Sequence, residues 1–114
     1  TTLHKSNYYK NWMIIIIKVK LSEDKIVISG HANYDEYGKD IVCSGVSSIV
    51  TTTVNAILSF DDKYISYKEE QDKFTIVINL HNDIVDKLIN NMINMLKEVE
   101  TNYPKNLKIR KENL

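Results

Sequence analysis

The only cysteine of the chain, Cys43, lies twelve residues after His31, with Gly30 just before the histidine and Gly38 late in the stretch between them. A thiol and an imidazole in one short segment are the two groups nucleophilic cysteine chemistry needs. The sulfur attacks as a thiolate, and the ring takes and returns the proton. Asp40 stands just ahead of a run of periodic apolar residues and reads as a helix N-cap, because a short carboxylate accepts from the orphan amides there. Counted from that cap, Cys43 is the third helical residue. Open N–H groups and the positive end of the helix dipole favour a thiolate at such a place. The backbone amides of Cys43 and Ser44 are then candidates to hold an oxyanion during acyl transfer. Asp40 has a second possible task, orienting the His31 ring, with capping the favoured reading. Ser47 falls on nearly the same helical face as Cys43; a bond near the thiol competes with local bonding to the helix backbone, the commoner outcome. Residues Asn33 to Lys39 lack apolar rhythm and read as a loop able to close over a bound peptide. Tyr34 and Tyr37 would offer it apolar contacts, and Gly38 marks its far end. On spacing alone, passive packing remains the ordinary fate of a lone cysteine, and a backbone hydrogen bond that of a strand histidine.

The elements that must position this pair follow from periodicity. Met13 to Leu21 turns from an isoleucine run to alternation and predicts a strand; Ser22-Glu23-Asp24 is a turn, and Lys25 to His31 a second strand. From Asp40, the residues Val42, Val46, Ile49, Val50, Val54, Ile57 and Leu58 recur at helical spacing to about Phe60. Tyr64 to Lys68 and Lys73 to Asn79 predict two further strands around the acidic turn Glu69 to Asp72. A second helix is expected from Asn82 or Asp83, with Ile84, Leu88, Met92, Leu96 and Val99 inward and Pro104 as its stop. Leu107 to Lys111 can add a last strand. The order β-β-α-β-β-α-β predicts an α+β fold, an antiparallel or mixed sheet of about five strands with two helices on it.

At 114 residues the chain reads as one domain. Residues 13–114 form that domain; residues 1–12 read as an N-terminal extension or a cloning scar and stand outside the fold argument. Fifteen basic and fifteen acidic residues cancel, so no global field draws nucleic acid or an anionic membrane. The cluster Lys105, Lys108, Arg110 and Lys111 reads first as a solvated strand face, with a nucleic-acid or ribosome contact as the lesser alternative. One cysteine forms no internal disulfide, and Trp12 to Ile17 is too short to span a bilayer. A cytoplasmic protein is therefore expected. No metal or cofactor is expected, since no paired His or Cys ligand spacing occurs. His81, between a strand and a helix, is expected at a cap or on the surface.

The run Gly30-His31-Ala32, then Gly38-Lys39-Asp40-Ile41-Val42-Cys43-Ser44-Gly45-Val46-Ser47, resembles the ribosomal-processing cysteine protease Prp family. Thr53-Val54-Asn55 and, weakly, Asn102-Tyr103-Pro104-Lys105 extend the likeness. The resemblance implies a bacterial cytosolic endopeptidase that removes the N-terminal extension of a large-subunit ribosomal protein, the twenty-seventh, cutting after an aromatic residue. It implies His31 and Cys43 as the catalytic pair, a mobile loop between them, and a homodimer; the balanced charge adds the expectation of no membrane and no direct nucleic-acid binding. Gly45 stands where the family usually carries alanine. That departure either costs helix propensity, about 1 kcal/mol, or admits a closer substrate backbone. Two rivals from other classes are a non-enzymatic ribosome-associated binding module and, ranking lower, a redox-sensing thiol, which would lack a resolving cysteine.

Overall fold

The computed structural model describes residues 17–30, 39–71 and 73–113, with the backbone alone for residues 39 and 40. Five strands, β1 (Ile17–Leu21), β2 (Lys25–Ser29), β3 (Ile65–Glu70), β4 (Lys73–Ile78) and β5 (Leu107–Lys111), alternate with two helices, α1 (Lys39–Phe60) and α2 (Asp83–Asn102). The chain order is the expected β-β-α-β-β-α-β. In space the strands lie β3-β4-β2-β1-β5. All neighbours are antiparallel except β1 and β5, so the sheet is mixed.

Alternation decides which face is covered. Ile17, Val19 and Leu21 of β1, Ile26 and Ile28 of β2, and Phe74, Ile76 and Ile78 of β4 point to one side and are buried. Register aligns them across strands: Val19 faces Ile28, and Ile28 faces Phe74. Val46, Val50, Val54 and Ile57 of α1 and Val85, Ile89, Met92 and Leu96 of α2 complete the same core. Both helices therefore lie on one face of the sheet. Each fully buried aliphatic side chain contributes about 1.5–3 kcal/mol. That burial holds α1 helical despite its β-branched residues, which disfavour helix by intrinsic propensity. By length and composition the segment Ile41–Phe60, of mean hydropathy 1.7, is also apolar enough to cross a bilayer. Its valine stripe is instead spent on the core of a folded domain.

Several boundaries differ from the periodicity. Strand β2 stops at Ser29, where Gly30 turns the chain with φ 80. Glu69 and Glu70 belong to β3, because Glu70 pairs with Lys73 and leaves only two residues to turn between the strands. On α2 the buried positions are Val85, Ile89, Met92 and Leu96, spaced four, three and four. Ile84 is one residue off that stripe, about 100° around the helix, and is 54% exposed. Leu58 likewise turns outward on α1. Residues 1–16, including the start of the expected first strand, lie outside the described residues.

The ends of α2 are well secured. Asn82 caps it, its side-chain oxygen accepting from the Ile84 and Val85 amides at 2.8 and 3.4 Å. The Glu100 carboxylate accepts from the Ile109 amide at 3.0 Å, which satisfies a donor on the edge strand β5. His81 bridges two carboxylates: Nε2 lies 2.6 Å from Asp24 of the β1–β2 turn and Nδ1 2.9 Å from Asp86 of α2. The histidine expected at a cap or on the surface is thus a surface residue, and it ties a sheet turn to a helix start.

Candidate active site

The segment holding the predicted pair begins at Gly30 and ends in α1. A φ of 80 crowds any side chain, so the glycine at this turn is a backbone requirement. The chain resumes in the described residues at Lys39, where α1 opens. Cys43 is the fifth residue of that helix. Its thiol is free, half-buried and packed against the core, between buried Val42 and Val46 in sequence. Packing on one side and solvent on the other suit a nucleophile, which must be held still yet be reached by substrate. Ser44 is exposed, and Ser47, one turn further, is half-buried like the cysteine. The cysteine and Ser47 thus occupy the margin of the buried stripe, and Ser44 lies outside it.

The helix opens two residues earlier than a cap at Asp40 predicts, and this moves the expected backbone donors. Asp40 is the second helical residue, inside the first turn and not at the cap; lysine after Gly38 is a good helix former, and the helix reaches back to include it. A first-turn position still favours a carboxylate. In a helix that starts at Lys39, the i to i−4 ladder takes the Cys43 and Ser44 amides to the carbonyls of Lys39 and Asp40. The N–H groups without intrahelical partners are those of the first turn, ahead of the cysteine. The oxyanion donors expected at Cys43 and Ser44 are therefore engaged in the helix. His31, Tyr34, Tyr37 and Gly38 lie outside the described residues, as does the Asp40 side chain.

An open cleft of about 1010 Å³ occupies another part of the molecule, between Leu21, Ser22 and Glu23 and the α2 residues Ile93, Asn94 and Lys97. No residue of α1 lines it, so it is separate from the thiol. Two features leave no signal in the sequence. Asp24 is remote in sequence from His81, so nothing in the pattern announces their bond. The facing of β1 and β5 is equally hidden, because parallel register is set by the crossover.

Comparison with known proteins finds relatives over most of the chain. A family model described as cysteine protease Prp matches residues 13–108. The ribosomal processing cysteine protease Prp of Staphylococcus aureus (strain NCTC 8325 / PS 47) is 31% identical over 87 residues, spanning 74% of this chain and 82% of the relative. That of Bacillus subtilis (strain 168) is 32% identical over 102 residues, spanning 80% and 91%. Among solved structures, S. aureus Prp in complex with a substrate peptide superposes with a TM-score of 0.73 at 23% identity, covering 85% of this chain and 98% of that one. S. aureus Prp with a covalently linked product peptide gives 0.71 at 25% identity, covering 86% and 99%.

Proposed function

This chain belongs to the cysteine protease Prp family, and from that premise we propose that it is a cytoplasmic endopeptidase that trims a ribosomal protein. The proposed substrate is the precursor of the twenty-seventh large-subunit protein, cut after an aromatic residue of its N-terminal extension. The observation that carries the reading is Cys43 itself, a free, half-buried thiol anchored to the core near the opening of α1, inside the matched segment. Relatives named for ribosomal processing, and one of them with a covalently linked product peptide, support thiol attack on a peptide carbonyl.

In this mechanism the Cys43 thiolate adds to the scissile carbonyl carbon, and the carbonyl π electrons move to oxygen. The positive end of α1 and its first-turn amides favour that oxyanion. Collapse reforms the carbonyl and breaks the C–N bond, while protonated His31 delivers its proton to the departing amine. Neutral His31 then takes a proton from water, the hydroxide adds to the thioester, and the acid leaves as the thiolate reforms. The nucleophile and the two-way proton carrier account for the whole sequence without a cofactor.

Incubation with a peptide spanning the precursor N-terminus, followed by mass analysis, tests the reading. Cys43→Ala is expected to reduce cleavage to background with unchanged circular dichroism. His31→Ala is expected to slow it by about 10²–10⁴-fold, the usual scale of general acid–base catalysis. Full turnover by Cys43→Ala ends the proposal. The same reading makes the protein a homodimer, joined over the outward face of α1. From Ile41 to Phe60 that helix carries no charged residue, and Ile41 is 61% exposed.

A further inference from the structure

The face of the sheet opposite the two helices concentrates positive charge on a molecule whose formal net charge is zero. In the parallel pair β1 and β5, Lys18 stands opposite Lys108, and Lys20 opposite Arg110. All four alternate with core residues and so point away from the helices; Lys18, Lys108 and Arg110 are exposed and Lys20 is half-exposed. Neighbouring strands lie about 4.8 Å apart and alternate residues about 6.7 Å apart along a strand, so the four cations issue from one small patch. Like charges directly opposite one another destabilise a sheet. Among the described residues no carboxylate relieves them: the ion pairs go to Lys63, Lys73 and His81. The same face continues positive on β2 with Lys25 and on β3 with Lys68, while Lys73 of β4 is held by Glu70 at 3.9 Å.

We infer that this sheet face binds RNA through its phosphates. Four adjacent, unneutralised cations on one sheet face complement a polyphosphate chain, and the repulsion they carry in the free protein is relieved by it. The residues between them on β2 and β4 are Val27, Ser29, Thr75 and Val77. No aromatic ring of the described strands lies on this side: Tyr67 and Phe74 both take inward positions. Without a stacking platform, recognition is by backbone charge and independent of base sequence. Without a large apolar wedge, the face has nothing to insert into a bilayer. The choice of RNA over other polyanions rests on the ribosomal-processing reading, since a precursor ribosomal protein is met beside RNA. The face itself stands on register and charge alone.

Fluorescence anisotropy with a labelled, unstructured, mixed-sequence RNA tests it, using the full chain between 50 and 200 mM KCl. Four phosphate contacts on a single strand predict a log–log salt slope of about −2.8, a loss of roughly 50-fold across that range. The double variant Lys108→Gln with Arg110→Gln is expected to weaken binding at least tenfold at 50 mM salt and to halve the slope. It should melt no lower than the unmodified protein, because a repulsion is removed. Lys87→Gln with Lys97→Gln, exposed on α2, removes the same charge from the other side and is expected to leave binding unchanged. Absence of RNA binding at 50 mM salt overturns the inference, as does equal weakening by both double variants. Capture by phosphatidylserine vesicles without RNA binding also overturns it and assigns the face to a membrane. The Lys108/Arg110 variant is expected to cleave free precursor peptide at the unmodified rate. If the unmodified protein cleaves no peptide yet binds RNA as described, the protease reading fails while the RNA site stands.

Discussion

Cys43 answers two demands that pull in opposite directions, anchorage and access. Valines on either side of it sink into the core, and the sulfur stays at the margin where a substrate can meet it. Gly45 is the nearby departure that calls for an explanation. Two residues turn a helix by about 200°, so Gly45 looks away from the thiol and is poorly placed to admit a substrate backbone. A Cβ added there meets nothing within 4 Å. Gly45→Ala therefore gains helix propensity without a clash, and stability is expected to rise by about 0.5–1 kcal/mol. Thermal melting should register this as an increase of a few degrees. Peptide cleavage is expected to be unchanged. A fall in cleavage with the fold intact would place Gly45 in the substrate path instead.

Helix α1 serves the core with one stripe and leaves its other side uncharged from Ile41 to Phe60. Outward positions such as Ser48, Thr52 and Asn55 are exposed, small and polar. If a second copy covers this surface, a charge at its centre cannot be solvated there. Thr52→Arg is expected to convert the dimer to a monomer in light scattering while the monomer stays folded; an unmodified protein that is monomeric at micromolar concentration removes the dimer from the proposal. Much of this architecture was legible beforehand. The isoleucine and valine alternation of β1, β2 and β4 and the three-and-four spacing of α1 announce which side is buried. Leu107–Lys111 appears with the predicted bounds. Ends were harder to place than middles. Lys39 joins α1 because propensity extends a helix past an apparent cap, and Ile84 turns outward because the stripe on α2 is anchored by Val85. Of the site, the position of Cys43 near a helix opening was legible from the apolar rhythm after it. His31 and the intervening loop lie outside the described residues, so the pairing rests on the family motif. The facing of Lys18 with Lys108 was illegible for another reason: partners far apart in sequence are chosen by the packing of α2 between them.

The clamp at His81 joins two regions that the chain places far apart. Asp24, in the β1–β2 turn, receives one ring nitrogen, and Asp86, in the first turn of α2, receives the other. The turn is already tied to the sheet, since the Ile78 amide donates to the Asp24 carbonyl at 2.8 Å. What the imidazole adds is a link from that turn to the second helix, and the link is strongest when the ring is charged. Hydrogen bonds to Asp24 and then to Asp86 raise the His81 pKa above its ordinary value of 6.5. The folded protein thus binds this proton more tightly than the unfolded chain does. Its contribution to stability is complete below about pH 6.5 and is lost as pH rises through the elevated folded value. Exposure of the group makes the effect modest and sensitive to salt. Melting temperatures of the unmodified protein and of His81→Gln, followed from pH 5.5 to 8.5 at low salt, should therefore differ most at the acid end and converge toward the alkaline end. Asp24→Asn should move the ring titration, read by NMR, back toward the ordinary value. A melting difference that stays constant across the pH range would mean that His81 acts there as a neutral hydrogen-bonding ring, with no ionic link between turn and helix.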